Sequence, residues 1–148
     1  MAPLIALVSS FLLFRGLGLL GLPYFAGWHP SLQAAVAVML MLTASAHWGK
    51  RRSDLIQMVP QALPKREWIV TTTGYLEIAG AIGILLPSTS LLAAICLIVL
   101  LIAMFPANIR AAREKLTISG KPVPKLGVRI VLQIVFIAAI LGASPLFA

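Results

Sequence analysis

The chain has 148 residues, 60% of them hydrophobic and only 11% charged, with a formal net charge of +8. Soluble domains carry roughly 45–50% apolar and about 25% charged residues, so with a mean hydropathy of +1.01 there is too little polar material to clothe a water-soluble core. The excess basic residues adjoin apolar stretches, with no aromatic interleaving and no nucleic-acid motif, which points away from nucleic acid and toward membrane orientation and lipid headgroups.

A helix needs about 20 apolar residues to cross the hydrocarbon core. Five stretches qualify or come close, at residues 4–25, 31–48, 68–87, 91–109 and 128–144. They lack apolar–polar alternation, and an open sheet leaves backbone groups unsatisfied in lipid, so helices are expected. The first stretch opens on Met-Ala-Pro without a basic residue and is interrupted by Arg15, features of an uncleaved helix rather than a signal peptide. Gly27 to Ser31 form a turn before the second stretch, which ends at His47 and Trp48.

The loop at 49–67 holds Lys50, Arg51, Arg52, Lys65 and Arg66 against Asp54 and Glu67. Within it Ser53 is expected to cap a short helical turn through Met58, whose apolar side lies on the cytoplasmic membrane interface or tucks under the bundle. Pro60 and Pro64 forbid a regular helix beyond it. The third stretch carries Glu77, and the fourth follows a Pro87–Ser90 turn and contains the lone cysteine, Cys96. One thiol forms neither an intramolecular disulfide nor a C-x-x-C pair, which disfavours dithiol chemistry. Pro106 withholds the helical donor from the Ile102 carbonyl, and Asn108 lies beside that distortion. The loop at 110–127 is again basic, with a Ser119-Gly120 turn, and the fifth stretch begins with Arg129 and Gln133 one turn apart.

Both basic loops fall on one side of the membrane if there are five spans, and the positive-inside rule makes that side cytoplasmic, with the N-terminus inside and the C-terminus outside. The expected architecture is a single domain over 1–148: an all-α membrane protein, a four-helix transmembrane bundle with an extra N-terminal transmembrane helix.

Of sixteen charged residues (twelve basic, four acidic), only Arg15 and Glu77 sit well inside long apolar stretches, Arg129 lying at the edge of the fifth. A charge at mid-bilayer costs between about 2.5 and 17 kcal/mol depending on the reference, so the two are expected to be near one depth and able to pair. At helical spacing Glu77 shares a face with the small residues Thr73, Gly74, Gly80 and Ala81, so it should face other helices. The candidate polar site comprises Arg15, His47, Thr73, Glu77, Asn108 and Gln133, lining a cavity open to the cytoplasmic side or the inner leaflet, with a buried polar network and no cavity as the competing reading. His29 and His47 stand about 27 Å apart along one helix and cannot share a haem. With no Cys/His/Asp/Glu cluster, a metal site is also disfavoured.

Several of these segments, taken in order, resemble the DoxX family of small bacterial and archaeal membrane proteins. They are Ala46-His47-Trp48 before a basic loop, MVPQALP, Gly74-x-x-Glu77 within GYLEIAGAIGILLP, and MFPAN at the end of the following stretch. The resemblance spans about residues 31–145 and covers four helices. It implies a four-helix membrane fold in the bacterial or archaeal cytoplasmic membrane. It also implies quinone-linked redox or assembly partners, with His47, Glu77 and Asn108 at family-like positions. The expected role is a non-catalytic accessory or assembly subunit of a membrane complex, homo-oligomeric or with other proteins. The alternatives are an oxidoreductase subunit with its own quinone-linked activity and a small-molecule or lipid binding or transport protein.

Overall fold

The computed structural model describes all residues, 1–148. Six α-helices follow in order: α1 Ala2–Leu19, α2 Trp28–Ser45, α3 Arg52–Met58, α4 Arg66–Leu85, α5 Ser90–Arg113 and α6 Leu126–Ala143. A two-stranded hairpin, β1 Thr117–Ile118 and β2 Lys121–Pro122, lies between α5 and α6. Four of the helices, α1, α4, α5 and α6, are long and apolar enough to cross a membrane. α2 matches α1 and α6 in length at 18 residues, but its opening turns hold His29, Pro30, Ser31 and Gln33, and this lowers its hydropathy.

The first apolar stretch does not form one helix to residue 25. α1 stops at Leu19 because Gly21 adopts a left-handed conformation (φ 108°), a region that residues with a Cβ rarely enter. The Leu22 N–H then reaches back to the Leu17 carbonyl (3.1 Å) and the Gly21 N–H to the Gly18 carbonyl (3.3 Å), a Schellman ending. Pro23 follows and opens a short 3₁₀ turn, Pro23–Phe25.

α3 begins one residue before the expected cap. Arg51 occupies the N-cap position, no side chain caps the helix, and Ser53 lies inside it. Its end is set by Val59, which is extended because Pro60 follows. Pro106 does not end α5, which continues to Arg113. In the hairpin Ser119 (φ 54°) and Gly120 (φ 76°) are both left-handed, the type I′ geometry that matches strand twist. The Ser119 N–H donates to Asp54 of α3 at 3.0 Å, tying the two basic loops together.

α2 is the hub. It packs against α1, α4 and α6, while α4 meets α5 and α5 meets α6. Seven α2 residues are buried, among them Ala35, Val36 and Leu40. They meet Ala81 and Ile84 of α4, Ala94 and Leu97 of α5, and Ile140 and Ala143 of α6 in one core. Small residues let the backbones approach: a Cβ at Gly83 would stand 2.9 Å from the Ala93 methyl. The outward faces are apolar too. Ile5, Leu12 and Leu13 on α1 and Val131 and Ile134 on α6 are each more than half exposed, a surface that in water would drive association.

Candidate functional site

α2 ends at Ser45 and the chain turns through Ala46, His47 and Trp48, dropping the imidazole of His47 against α4. What admits it is Gly74. A Cβ there would lie 2.7 Å from Trp48 Cη2 and 2.8 Å from His47 Cβ, so any larger residue would push the end of α2 away. One helical turn after Gly74, Glu77 points at the same contact, and His47 and Glu77 are 4% and 5% exposed.

Four side chains close the site. His47 Nδ1 lies 2.6 Å from the Val70 carbonyl and 3.3 Å from Thr73 Oγ1. A carbonyl only accepts, so Nδ1 carries a proton. Thr73 donates to the same Val70 carbonyl at 3.0 Å. On the other face of the ring, Nε2 stands 3.6 Å from Glu77 Oε1, near but beyond hydrogen-bond length. Thr43, one turn before His47 on α2, donates to Glu77 Oε2 at 2.8 Å and also approaches the Leu40 carbonyl at 2.9 Å.

At 3.6 Å the imidazole edge of His47 and the Glu77 carboxyl group lie within ion-pair reach without sharing a hydrogen bond, in a contact that is nearly sealed. Arg52 closes the end nearest the basic loop: its guanidinium donates to the His47 carbonyl (2.7 Å), Thr71 Oγ1 (2.9 Å) and the Glu67 carbonyl (3.2 Å), bridging α2, α3 and α4.

The six expected site residues separate into three places. His47, Thr73 and Glu77 come together. Asn108 and Gln133 belong to a second group on α5 and α6, where Arg129 Nη2 donates to Asn108 Oδ1 and Gln133 donates to the Leu101 carbonyl at 2.7 Å. Arg15 joins neither group, and the expected pairing with Glu77 is not made. It donates instead to the carbonyls of Phe25 (3.2 Å) and Ala26 (2.6 Å). The reason is the early stop of α1: Arg15 is one turn from the end of an 18-residue helix, so it caps the 3₁₀ turn beyond that end instead of lying at mid-depth.

The single cavity expected to gather all six is thus replaced by separate clusters, each tied into the helices around it. A cleft of about 170 Å³ between α5 and α6 is lined by Gln133 and five apolar side chains and includes neither His47 nor Glu77.

Two polar residues outside the expected set carry much of the helix-to-helix bonding. Thr43 supplies the second contact to Glu77. At the far end of α2, Gln33 Nε2 lies 3.0 Å from the Ile84 carbonyl, 3.0 Å from the Ala143 carbonyl and 3.3 Å from Ser90 Oγ, linking α2 to α4, α5 and α6. Its signal is an amide with no neighbouring charge inside an apolar run, but its partners lie too far along the chain to be read locally. His29, near it on α2, reaches the Ser144 carbonyl at 2.9 Å.

A model of the family described as a domain of unknown function (DUF8561) matches residues 36–143, most of the chain. The chain belongs to that family. The matched stretch starts within α2 and ends with α6, so the DUF8561 region holds the whole His47–Glu77 contact and leaves α1 and Arg15 outside it. No curated protein and no solved structure matches the chain. The resemblance to DoxX proteins is overturned, because the matching family is a different one. The shared features, a small residue facing an acid, prolines at helix ends and a histidine at an interface, arise wherever apolar helices must pack around a few polar side chains. The quinone, the redox partners and the bacterial or archaeal membrane rested on that resemblance alone.

Proposed function

We propose that this DUF8561 protein is a five-span membrane protein that acts as a non-catalytic accessory subunit, forming one helical bundle over 1–148 with α2 as its central span. Support for counting α2 comes from its partners. The polar groups that lower its hydropathy, His29, Ser31 and Gln33, all bond to neighbouring segments, Ser31 to the Phe25 carbonyl of the 3₁₀ turn, so α2 offers few unsatisfied groups to lipid. At about 1.5 Å per residue its 18 residues reach about 27 Å, close to the thickness of the hydrocarbon core. Five spans put the basic 49–67 and 110–127 loops on one side, which the positive-inside rule makes cytoplasmic, with the C-terminus outside.

The observation that carries the accessory role is that Thr43, His47, Thr73 and Glu77 satisfy one another across the α2–α4 contact with almost no exposure of the His47 and Glu77 side chains. Such a group locks helices together and offers no open face to a substrate. What the bundle does present is apolar helix faces and two basic loops, surfaces suited to a membrane partner or a second copy.

Proteoliposomes enclosing a pH-sensitive dye test this reading. The accessory role gives no proton flux above empty vesicles and a lowered melting temperature for Glu77→Gln. A flux abolished by Glu77→Gln with melting unchanged overturns it in favour of proton-coupled transport.

A further inference from the structure

The polar group on α5 and α6, unlike the one at Glu77, is left incomplete. Arg129 donates to Asn108 through Nη2, yet its Nε is buried and has no acceptor within the protein. One turn on, Gln133 sits in the wall of the α5–α6 cleft with Ile102, Phe105, Ile130, Ile134 and Ile137. Ile102, Ile130 and Ile134 are 57%, 40% and 61% exposed, so the cleft opens away from the core.

If α5 and α6 span the membrane, as proposed above, the cleft faces the acyl chains and runs from Ile137 toward the end of α6 that carries Arg129. Arg113, at the end of α5, and Lys125, just before α6, stand at that same end. Of the acids near that end, Glu114 is engaged by Arg110 at 3.0 Å and Asp54 accepts from the Ser119 N–H. An apolar slot running toward a part-buried guanidinium just beyond its wall, among further cations and no free carboxylate, is complementary in shape and charge to one class of molecule.

We propose that the α5–α6 cleft binds an anionic phospholipid of the cytoplasmic leaflet, with an acyl chain against Ile130 and Ile134 and the phosphate at Arg129. A zwitterionic lipid has the same chain but no net charge to set against the cationic end, so the site selects by headgroup. A cation close to an anionic surface contributes enough for about a fivefold change in binding, and a guanidinium is well suited to phosphate oxygens.

The test is native mass spectrometry of the full chain in detergent, titrated with dioleoylphosphatidylglycerol or dioleoylphosphatidylcholine. The first adduct of the wild type favours phosphatidylglycerol several-fold. Arg129→Gln removes that preference, on the order of fivefold, and Lys50→Gln, in the other basic loop, leaves it within about twofold. Ile134→Trp, at an exposed position in the cleft, weakens both lipids and tests the site independently should Arg129→Gln fail to fold.

Equal binding of the two lipids by the wild type overturns the proposal. So does a preference that survives Arg129→Gln, or one lost equally in Lys50→Gln, which would mean diffuse attraction to the basic loops. Full lipid retention by Ile134→Trp, or displacement by inorganic phosphate, which would mark a site for free anions, also overturns it. Carbonate extraction of cell membranes reports separately on insertion, so failure of the membrane reading is told apart from failure of the lipid site.

Discussion

Replacing Gly74 by alanine adds one methyl group at the point where α2 and α4 come closest. The new Cβ would lie 2.7 Å from Trp48 Cη2 and 2.8 and 2.9 Å from Cβ and Cγ of His47. Carbon atoms prefer about 3.5–4.0 Å, so the end of α2 must retreat by roughly 0.7–1.2 Å. Two of the three clashing atoms are near the backbone of His47 and cannot swing aside.

Retreat lengthens the His47–Val70 bond, now 2.6 Å, and widens the 3.6 Å gap to Glu77. Overpacking of this kind costs about 1–3 kcal/mol, and the better helix propensity of alanine returns up to about 1 kcal/mol. The expected net loss is about 0.5–2 kcal/mol. Gly16→Ala on α1 is the control, because a Cβ there meets nothing within 4 Å and only the propensity gain remains.

Unfolding in mixed micelles by added dodecyl sulfate, followed by circular dichroism, should therefore place Gly16→Ala above and Gly74→Ala below the parent. If Gly74→Ala is as stable as Gly16→Ala, the close approach at His47 is wrong.

Three further outcomes follow from the same contacts. Arg52→Ala removes donors to the His47 and Glu67 carbonyls and to Thr71; because this end is partly exposed, the expected loss is about 1–2 kcal/mol, seen as a lower midpoint in the same titration. Gln33→Leu leaves the Ile84 and Ala143 carbonyls without their side-chain donor and should cost about 1–3 kcal/mol, whereas a neutral result would show those bonds to be incidental. Arg15→Leu acts only on the Phe25 and Ala26 carbonyls, so combined with Glu77→Gln it should be additive within about 0.5 kcal/mol; strong coupling would restore the direct pair that the structure replaces.

The helices are legible in the sequence because apolar runs and their breaks are local. Gly74 and Gly80, spaced around Glu77, also mark the buried stripe correctly, since side chains three and four apart share a helix face. Arg15 is misplaced through one residue. Treating residues 4–25 as a continuous helix puts it near mid-depth, while Gly21 is what ends α1 and turns the chain back over the guanidinium.

Spacing alone sets Thr43 one turn from His47, but its bond to Glu77 depends on how α2 sits against α4, which periodicity does not determine. Gln33 shows the same limit more strongly, with acceptors 51 and 110 residues further along the chain. The α2 hydropathy adds a related difficulty: the polar side chains that make it look a poor span are the ones its neighbours satisfy. Local composition reports what a helix carries, and only packing reports what those groups meet.

The most direct measurement of the central contact is a double-mutant cycle between His47→Gln and Glu77→Gln, read from unfolding free energies in micelles. The buried approach of the two side chains across the α2–α4 contact predicts a coupling of about 1–3 kcal/mol, with the double variant recovering part of the loss. Effects that simply add, to within about 0.5 kcal/mol, would show that the carboxylate and the imidazole do not answer each other.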